Sequence, residues 1–235
     1  MHRRRLGSLL FAAALGTSAS AADLVFGAFD FAPYFNVDQE SFELTGGLWD
    51  EHMRQIFAEA GLPYVSKGYP TRRLFKNIAS GETNLIFGTR NNPEYAGKAL
   101  FSKEPVELLN LNLYYLDTTA PADGVEALSG KSLLVIRGYS YDGLINSLRD
   151  PANHIAIQEI ASDEGGLNML ASGRANYFLD YAEGVAPSLA AHPMPGLEHH
   201  MIAKVPIYMV LSKATPDAEE VMRRLDEAYS RLPRK

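Results

Sequence analysis

An arginine stands at the end of a buried run in "LIFGTRNNPEYAGKALFS", residues 85–102. Leu85, Ile86 and Phe87 are apolar, Gly88 breaks the run, and Thr89, Arg90, Asn91 and Asn92 follow. A guanidinium is a planar fork that meets a carboxylate with two parallel hydrogen bonds. Beyond the carboxyl end of a strand, it borders the place where open α/β sheets hold ligands. A solvated loop charge is the plainer alternative. The other reactive side chains are less well arranged. His192, His199 and His200 lack HxxxH or HExxH spacing, and neighbours on a strand face opposite ways, so no metal is expected. There is no nucleophile elbow, no phosphate-binding GxxxxGK loop and no dinucleotide GxGxxG, so neither catalysis nor a cofactor is indicated. Glu94, Asp180 and Glu183 are the acids near the expected cleft, and no spacing marks them as a general acid–base set. Tyr139 and Tyr141 flank the turn "GYSYDG", residues 138–143, and read as cleft residues. Tyr114 and Tyr115 read as packing.

The elements that must position these groups alternate. Leu24–Phe29 reads as a strand, and a helix follows "TGG" with Trp49, Met53, Ile56, Phe57 and Ala60 on one face until Gly61. A strand near Tyr64–Ser66, a helix capped by Thr71 and closed at Gly81, and the strand Asn84–Phe87 come next. Leu108–Leu116 is a long strand, and "DTTAPADG", residues 117–124, is a linker. The alternation then restarts: strand 133–136, helix 140–148, strand 154–160, helix 164–171 and strand 177–179. Thr215 and Pro216 open a last amphipathic helix. This pattern predicts parallel sheets with crossover helices, in two α/β units.

The chain has 235 residues. Residues 1–21 have the layout of a cleaved secretory signal peptide: Arg3–Arg5, an apolar stretch, then Ala19-Ser20-Ala21. Without them, 19 basic residues face 28 acidic ones, a net charge of −9. Such a chain is a poor partner for nucleic acid or anionic lipid. The apolar stretch is too short for a membrane anchor. With no cysteine for a disulfide or lipid attachment, a soluble periplasmic monomer is expected, with no membrane insertion.

The motifs "FAPYF", "GLWDEHMRQIFAEAG", "ASGETNLIFG", "NPEYAGKALFSKEP", "LSGKSLLVIRGYS" and "LASGRANYFLDY" occur in this order. Together they resemble the extracellular solute-binding protein family 3, the periplasmic amino-acid-binding proteins of ABC importers. The resemblance spans essentially the whole mature chain. It implies a type II periplasmic-binding-protein fold: two lobes, each a mostly parallel sheet with flanking helices, closing on a small-molecule ligand by a hinge, with the permease of an importer as membrane partner. The chain is expected to cross near residues 115–118 and 203–207, giving lobe 1 as 22–116 and 206–235 and lobe 2 as 117–205. Periplasmic enzymes of the same fold (dehydratases, lytic transglycosylases) and ligand-loaded partners of membrane sensors are the alternatives.

Carried over position by position, Phe31 matches the ring that stacks on ligand. Gly88 and Arg90 match cleft positions, and Ser140 matches a hydroxyl that caps the second lobe's helix and reaches the ligand carboxylate. Two departures stand out. The carboxylate-clamping arginine of the family falls on Tyr95, and its amine-binding aspartate falls on Tyr181, with Asp180 one residue earlier. Where the family often has tryptophan, this chain has Thr71. Arg90, or Arg73 in a divergent "P-x-x-R" pattern, would then meet an anionic or zwitterionic ligand, and standard amino acids are expected to bind weakly. The competing possibility is that Arg90 and Asp180 take over both roles from adjacent positions.

Overall fold

A computed structural model describes residues 23–38 and 40–233; the expected signal peptide lies outside them. The chain opens with β1 (Leu24–Ala28), a short hairpin of β2 (Asn36–Val37) and β3 (Leu44–Gly46), α1 (Leu48–Ala60), β4 (Tyr64–Gly68), α2 (Thr71–Ser80) and β5 (Leu85–Gly88). After β6 (Ala99–Phe101) and the long β7 (Glu107–Leu116) come β8 (Ser132–Ile136), α3 (Leu144–Leu148), β9 (Ala156–Ile160), α4 (Asp163–Ala171) and β10 (Tyr177–Tyr181). Then α5 (Ala182–Ala191), β11 (Leu197–Ser212) and α6 (Ala218–Arg231) complete the order.

β1 pairs in parallel with β4 and β5, and β8 pairs in parallel with β9 and β10. These are the two α/β units. They are not separate sheets, because β11 belongs to both. Its residues 208–211 pair with β5, and residues 197–207 run antiparallel to β7, which also pairs with β10. The strand path is therefore unbroken from β4 to β9. This corrects the expected outward crossing at 115–118. Leu116 pairs with Leu197 at the far end of the second unit, and the outgoing chain passes the waist at Ser102–Val106 beside Ile207 and Met209. The linker composition of 117–124 drew that expectation; the true crossing is short and precedes the first pairs of β7. The chain returns along β11, whose pairing passes from β7 to β5 between Ile207 and Tyr208.

One apolar cluster runs through both units, and each unit adds a smaller one of its own. In the first, Phe26, Phe57, Phe87, Met209 and Leu225 are nearly solvent-free, and α6 packs on α1 rather than on the second unit. Burying one such side chain contributes about 1.5–3 kcal/mol. In the second, Leu134, Phe178 and Val185 pack beneath α4 and α5. No helix among the described residues is long and apolar enough to cross a membrane.

Helix starts differ from expectation in three places. Thr71 is the first residue of α2, not its cap, and α6 begins at Ala218, after Asp217 rather than Thr215. α3 begins at Leu144, so Ser140 lies in the turn before it; its carbonyl, not its hydroxyl, takes the amides of Gly143 and Ile145. α1 has no side-chain cap either. Instead the "FAPYF" turn supplies main-chain oxygens, Pro33 O accepting from Leu48 N at 3.1 Å and Tyr34 O from Trp49 N at 3.0 Å. That union needs Gly47, whose φ is +124° and whose added Cβ would lie 2.2 Å from Tyr34 O. Gly47→Ala is therefore expected to cost about 2–4 kcal/mol, from a strained φ and a backbone clash. Urea unfolding checks it: the midpoint should fall with the slope unchanged, and an unmoved midpoint would disprove this role for Gly47.

Candidate functional site

The carboxyl ends of the parallel strands of both units face one cleft, as open α/β sheets dictate. β1 delivers Phe29 and Phe31, and β5 delivers Gly88, Thr89 and, three residues on, Asn92. β8 leads into the turn that carries Tyr139 and Ser140, and β10 ends at Tyr181. The turn after β8 is bent sharply. Tyr141 and Asp142 both have positive φ, 48° and 54°. The Tyr141 hydroxyl pins this turn by donating to Leu179 O at 3.0 Å and accepting from Ile136 N at 2.8 Å. Strain of this kind persists only where the surroundings enforce it, and here it presents Tyr139 and Asp142 to the other lobe.

The lobes meet face to face. Phe29 and Phe31 stand edge-on to Tyr139, with ring centres 5.6 and 6.1 Å apart, and Phe31 meets Tyr181 at 6.0 Å. At the rim, Asp142 accepts from the Asn91 amide at 2.9 Å and its side chain at 3.0 Å. Arg72 of α2 reaches Glu159 of β9, which also holds Arg149.

The Phe31–Tyr139 contact divides the space between the lobes. Inside it is a cavity of about 40 Å³, enough for a few water-sized groups. Trp49, Phe75 and Phe87 join the cleft rings in its wall, and no charged side chain lines it. Two polar groups there lack a partner among the described residues: Trp49 Nε1 and Thr89 Oγ1. Both residues are buried, and an unpaired buried donor costs about 1–3 kcal/mol. Outside lies a polar chamber of about 290 Å³, bounded by Asp30 and Thr71 of one lobe and Arg137, Ser162 and Asp163 of the other.

Of the residues predicted from sequence, Phe31, Gly88, Tyr139, Ser140 and Tyr181 line the inner cavity. Four do not. Arg90 turns outward and is exposed. Its guanidinium donates to Ser102 O at 2.8 Å and stacks 3.9 Å from the Tyr208 ring centre. Arg73 is exposed on the outer side of α2. Tyr95 is fully buried behind the cleft, packed on Phe75, with its hydroxyl donating to Thr89 O at 2.6 Å. It does not face the ligand space as expected, but it fixes the loop that places Thr89. Asp180 is 1% exposed beneath the wall. Its Oδ1 accepts from Tyr181 N at 2.7 Å, and no N–H or hydroxyl among the described residues donates to Oδ2. The group facing it is the Asp163 carboxyl. Burial first, and Asp163 second, hold the Asp180 carboxyl well above the usual carboxylate range, so it carries the proton between the two. Burial and Asp180 likewise raise the hydroxyls of Tyr139 and Tyr181. Trp49, Phe75 and Phe87 were not foreseen as cleft residues; the helical period marked Trp49 and Phe75 only as inward.

Comparison with solved structures shows the same architecture. The chain is similar to an ancestral arginine-binding protein bound to arginine (TM-score 0.68, 16% identity, covering 89% of this chain and 93% of that one). It is similar to a histidine kinase sensor domain that resembles periplasmic binding proteins (0.72, 18%, 89% and 89%). It is also similar to the GluR0 ligand-binding core in complex with L-glutamate (0.67, 17%, 90% and 95%). These likenesses show the two-lobed periplasmic-binding-protein fold. No protein-family model and no curated protein matches the chain.

The raised Asp180 group fixes a pH dependence. The folded chain keeps a proton that the unfolded chain releases. The contribution to stability is full below the ordinary carboxylate range and is lost as pH rises toward the folded value. Relative to Asp180→Asn, the wild type should therefore weaken as pH rises above about 4, by up to about 1.4 kcal/mol per pH unit while one proton is at stake. Parallel urea titrations from acid to neutral pH check this, and a constant difference between the two proteins would refute it.

Proposed function

We propose that this protein captures a small solute in the cleft and closes its lobes over it. The chain would be exported to the periplasm and act as a monomer, handing the solute to the permease of an ABC importer. The observation that carries the binding proposal is the inner cavity: a wall of rings from both lobes, with two unpartnered donors, Trp49 Nε1 and Thr89 Oγ1, and no basic side chain. A buried carboxylate needs a charged or multiply donating partner, because an unpaired buried charge is very costly. Arg90 and Arg73 are engaged or directed elsewhere, so the anionic ligand expected from them loses its support. A solute with a flat or apolar portion and a neutral acceptor, such as an amide or ketone oxygen, fits the wall better. Standard amino acids fit it poorly.

The sensor-domain likeness favours a second reading of the same cleft, in which the loaded protein signals through a membrane partner. An enzymatic role draws less support. Glu94 is exposed on the turn before Tyr95, and the Glu183 carboxylate is held by the amide and side chain of Asn110. Neither lines the cavity.

Trp49 is the only tryptophan in the chain, so its emission reports occupancy of the cavity directly. Titrated with amides, ketones, amines, carboxylates and the twenty amino acids, it should respond to neutral acceptors and not to amino acids at micromolar concentration. Thr89→Val should weaken the responding solute about 3- to 10-fold, the scale of one neutral hydrogen bond. Micromolar binding of any standard amino acid would show that the recognition scheme is shifted, not lost.

A further inference from the structure

We infer that Tyr139 sets the size of the solute: its ring closes the inner cavity, so the ligand is a short neutral carbonyl compound of the size of acetamide, acetone or urea. The inference rests on the cleft being the ligand site and adds a length limit to it. The inner cavity and the outer chamber have Phe31 and Tyr139 in common in their walls. Inside this partition there is room of about 40 Å³. Each water-sized group needs about 10–15 Å³ of such room, which allows about three or four non-hydrogen atoms. Outside it the chamber offers about 290 Å³. A longer solute would have to pass between the two rings, whose centres are 6.1 Å apart and whose planes stand at 88°. Edge-to-face rings at that separation are in contact, so no chain passes between them.

Of the two rings, Tyr139 is the one that decides. Phe31 is built into lobe 1, stacked on Tyr34 at 5.5 Å and tilted on Trp49 at 5.8 Å. Tyr139 comes instead from the turn after β8, and neighbours from both lobes hold it. Phe29 of lobe 1 stands 5.6 Å from its ring, and Tyr141 and Tyr181 of lobe 2 stand 5.8 and 6.0 Å away. The residue before it, Gly138, has φ +88°, and a Cβ added there would lie 3.1 Å from Arg72 Cγ and 3.2 Å from Thr71 Cβ, both on α2. Lobe 1 thus presses on the backbone of the turn, and close packing leaves the ring no room to swing aside while the lobes are closed. Beyond the ring, Val37, Phe42 and Ile136 give the chamber apolar walls that a hydrocarbon tail could use. Where there is room, each added methylene strengthens binding about fourfold. Against a fixed ring it forces overlap and weakens binding instead. The sign of the chain-length dependence therefore reads the partition.

Trp49 emission, titrated with straight-chain primary amides from acetamide to hexanamide and with methyl ketones from acetone to 2-heptanone, tests this. In the parent, affinity should be highest at the short end of a responding series and fall about tenfold or more by the long end. Tyr139→Ala joins the two spaces, so its preference should move to longer members, with affinity climbing up to about fourfold per methylene. Tyr139→Phe keeps the ring and should keep the parent's profile. Loss of lobe closure alone would weaken every member by the same factor, so a Tyr139→Ala profile that drops without changing shape overturns the inference. A changed profile in Tyr139→Phe overturns the role of the ring. If the parent binds longer members more tightly throughout, this inference fails while the cleft reading stands; that result decides the matter even if Tyr139→Ala does not fold. If neither series moves the emission, the cleft reading fails and this inference with it.

Discussion

The contact of Phe29 and Phe31 with Tyr139 and Tyr181 is the interaction on which the rest of this structure depends. It joins two lobes that are also linked by the β7–β11 waist and a polar rim. Edge-to-face ring pairs contribute about 0.5–1.5 kcal/mol each beyond their buried area, whereas exposed ion pairs such as Arg72–Glu159 contribute about 0–1 kcal/mol and are screened by salt. The rings therefore hold the lobes together, and the rim pairs set their register. Under the proposed function, contacts of this size would leave closed and open states about a few kcal/mol apart, the range in which a bound solute decides the population.

The same rings set the electrostatics beneath them. They exclude water from Asp180 and from the hydroxyls of Tyr139 and Tyr181, and in that environment a charge without a partner is prohibitive. The inner cavity accordingly has donors and acceptors in its wall and, among the described residues, no charged side chain. That inner part suits neutral acceptors, and Asp163 lies on the outer side, where the chamber opens. Tyr95 belongs to this scheme at one remove: its hydroxyl holds the Thr89 carbonyl, and so fixes the loop from which Thr89 meets the cavity.

Much of the frame was legible because it is local. Apolar periodicity located α1, α2 and α6 within a few residues, and the parallel pairing within both units followed from alternation. The waist was not legible, since β11 gives residues 197–207 to β7 and 208–211 to β5, and nothing in its composition marks the change. The site was legible by position and misleading by side chain. Arg90 does follow a strand's carboxyl end, but its guanidinium is claimed by Ser102 O and by the ring of Tyr208, which lies on β11, far along the chain. Asp180 and Tyr181 differ by one step on a strand, and strand parity decides which reaches the cavity. Trp49 and Phe87 read as core because core and cleft are one continuous aromatic cluster here.

Nitroxide labels on Gln55→Cys and Arg174→Cys, exposed positions in the two lobes of a chain without cysteine, measure the lobe separation directly. Pulsed dipolar spectroscopy should find the short, closed distance in the parent and a shift to longer distances when Phe31 and Tyr139 are both changed to Ser. Changing Arg72 and Asn91 to Ala should leave the closed distance dominant. If removing the rim opens the protein and removing the rings does not, charge holds the lobes together and the rings do not.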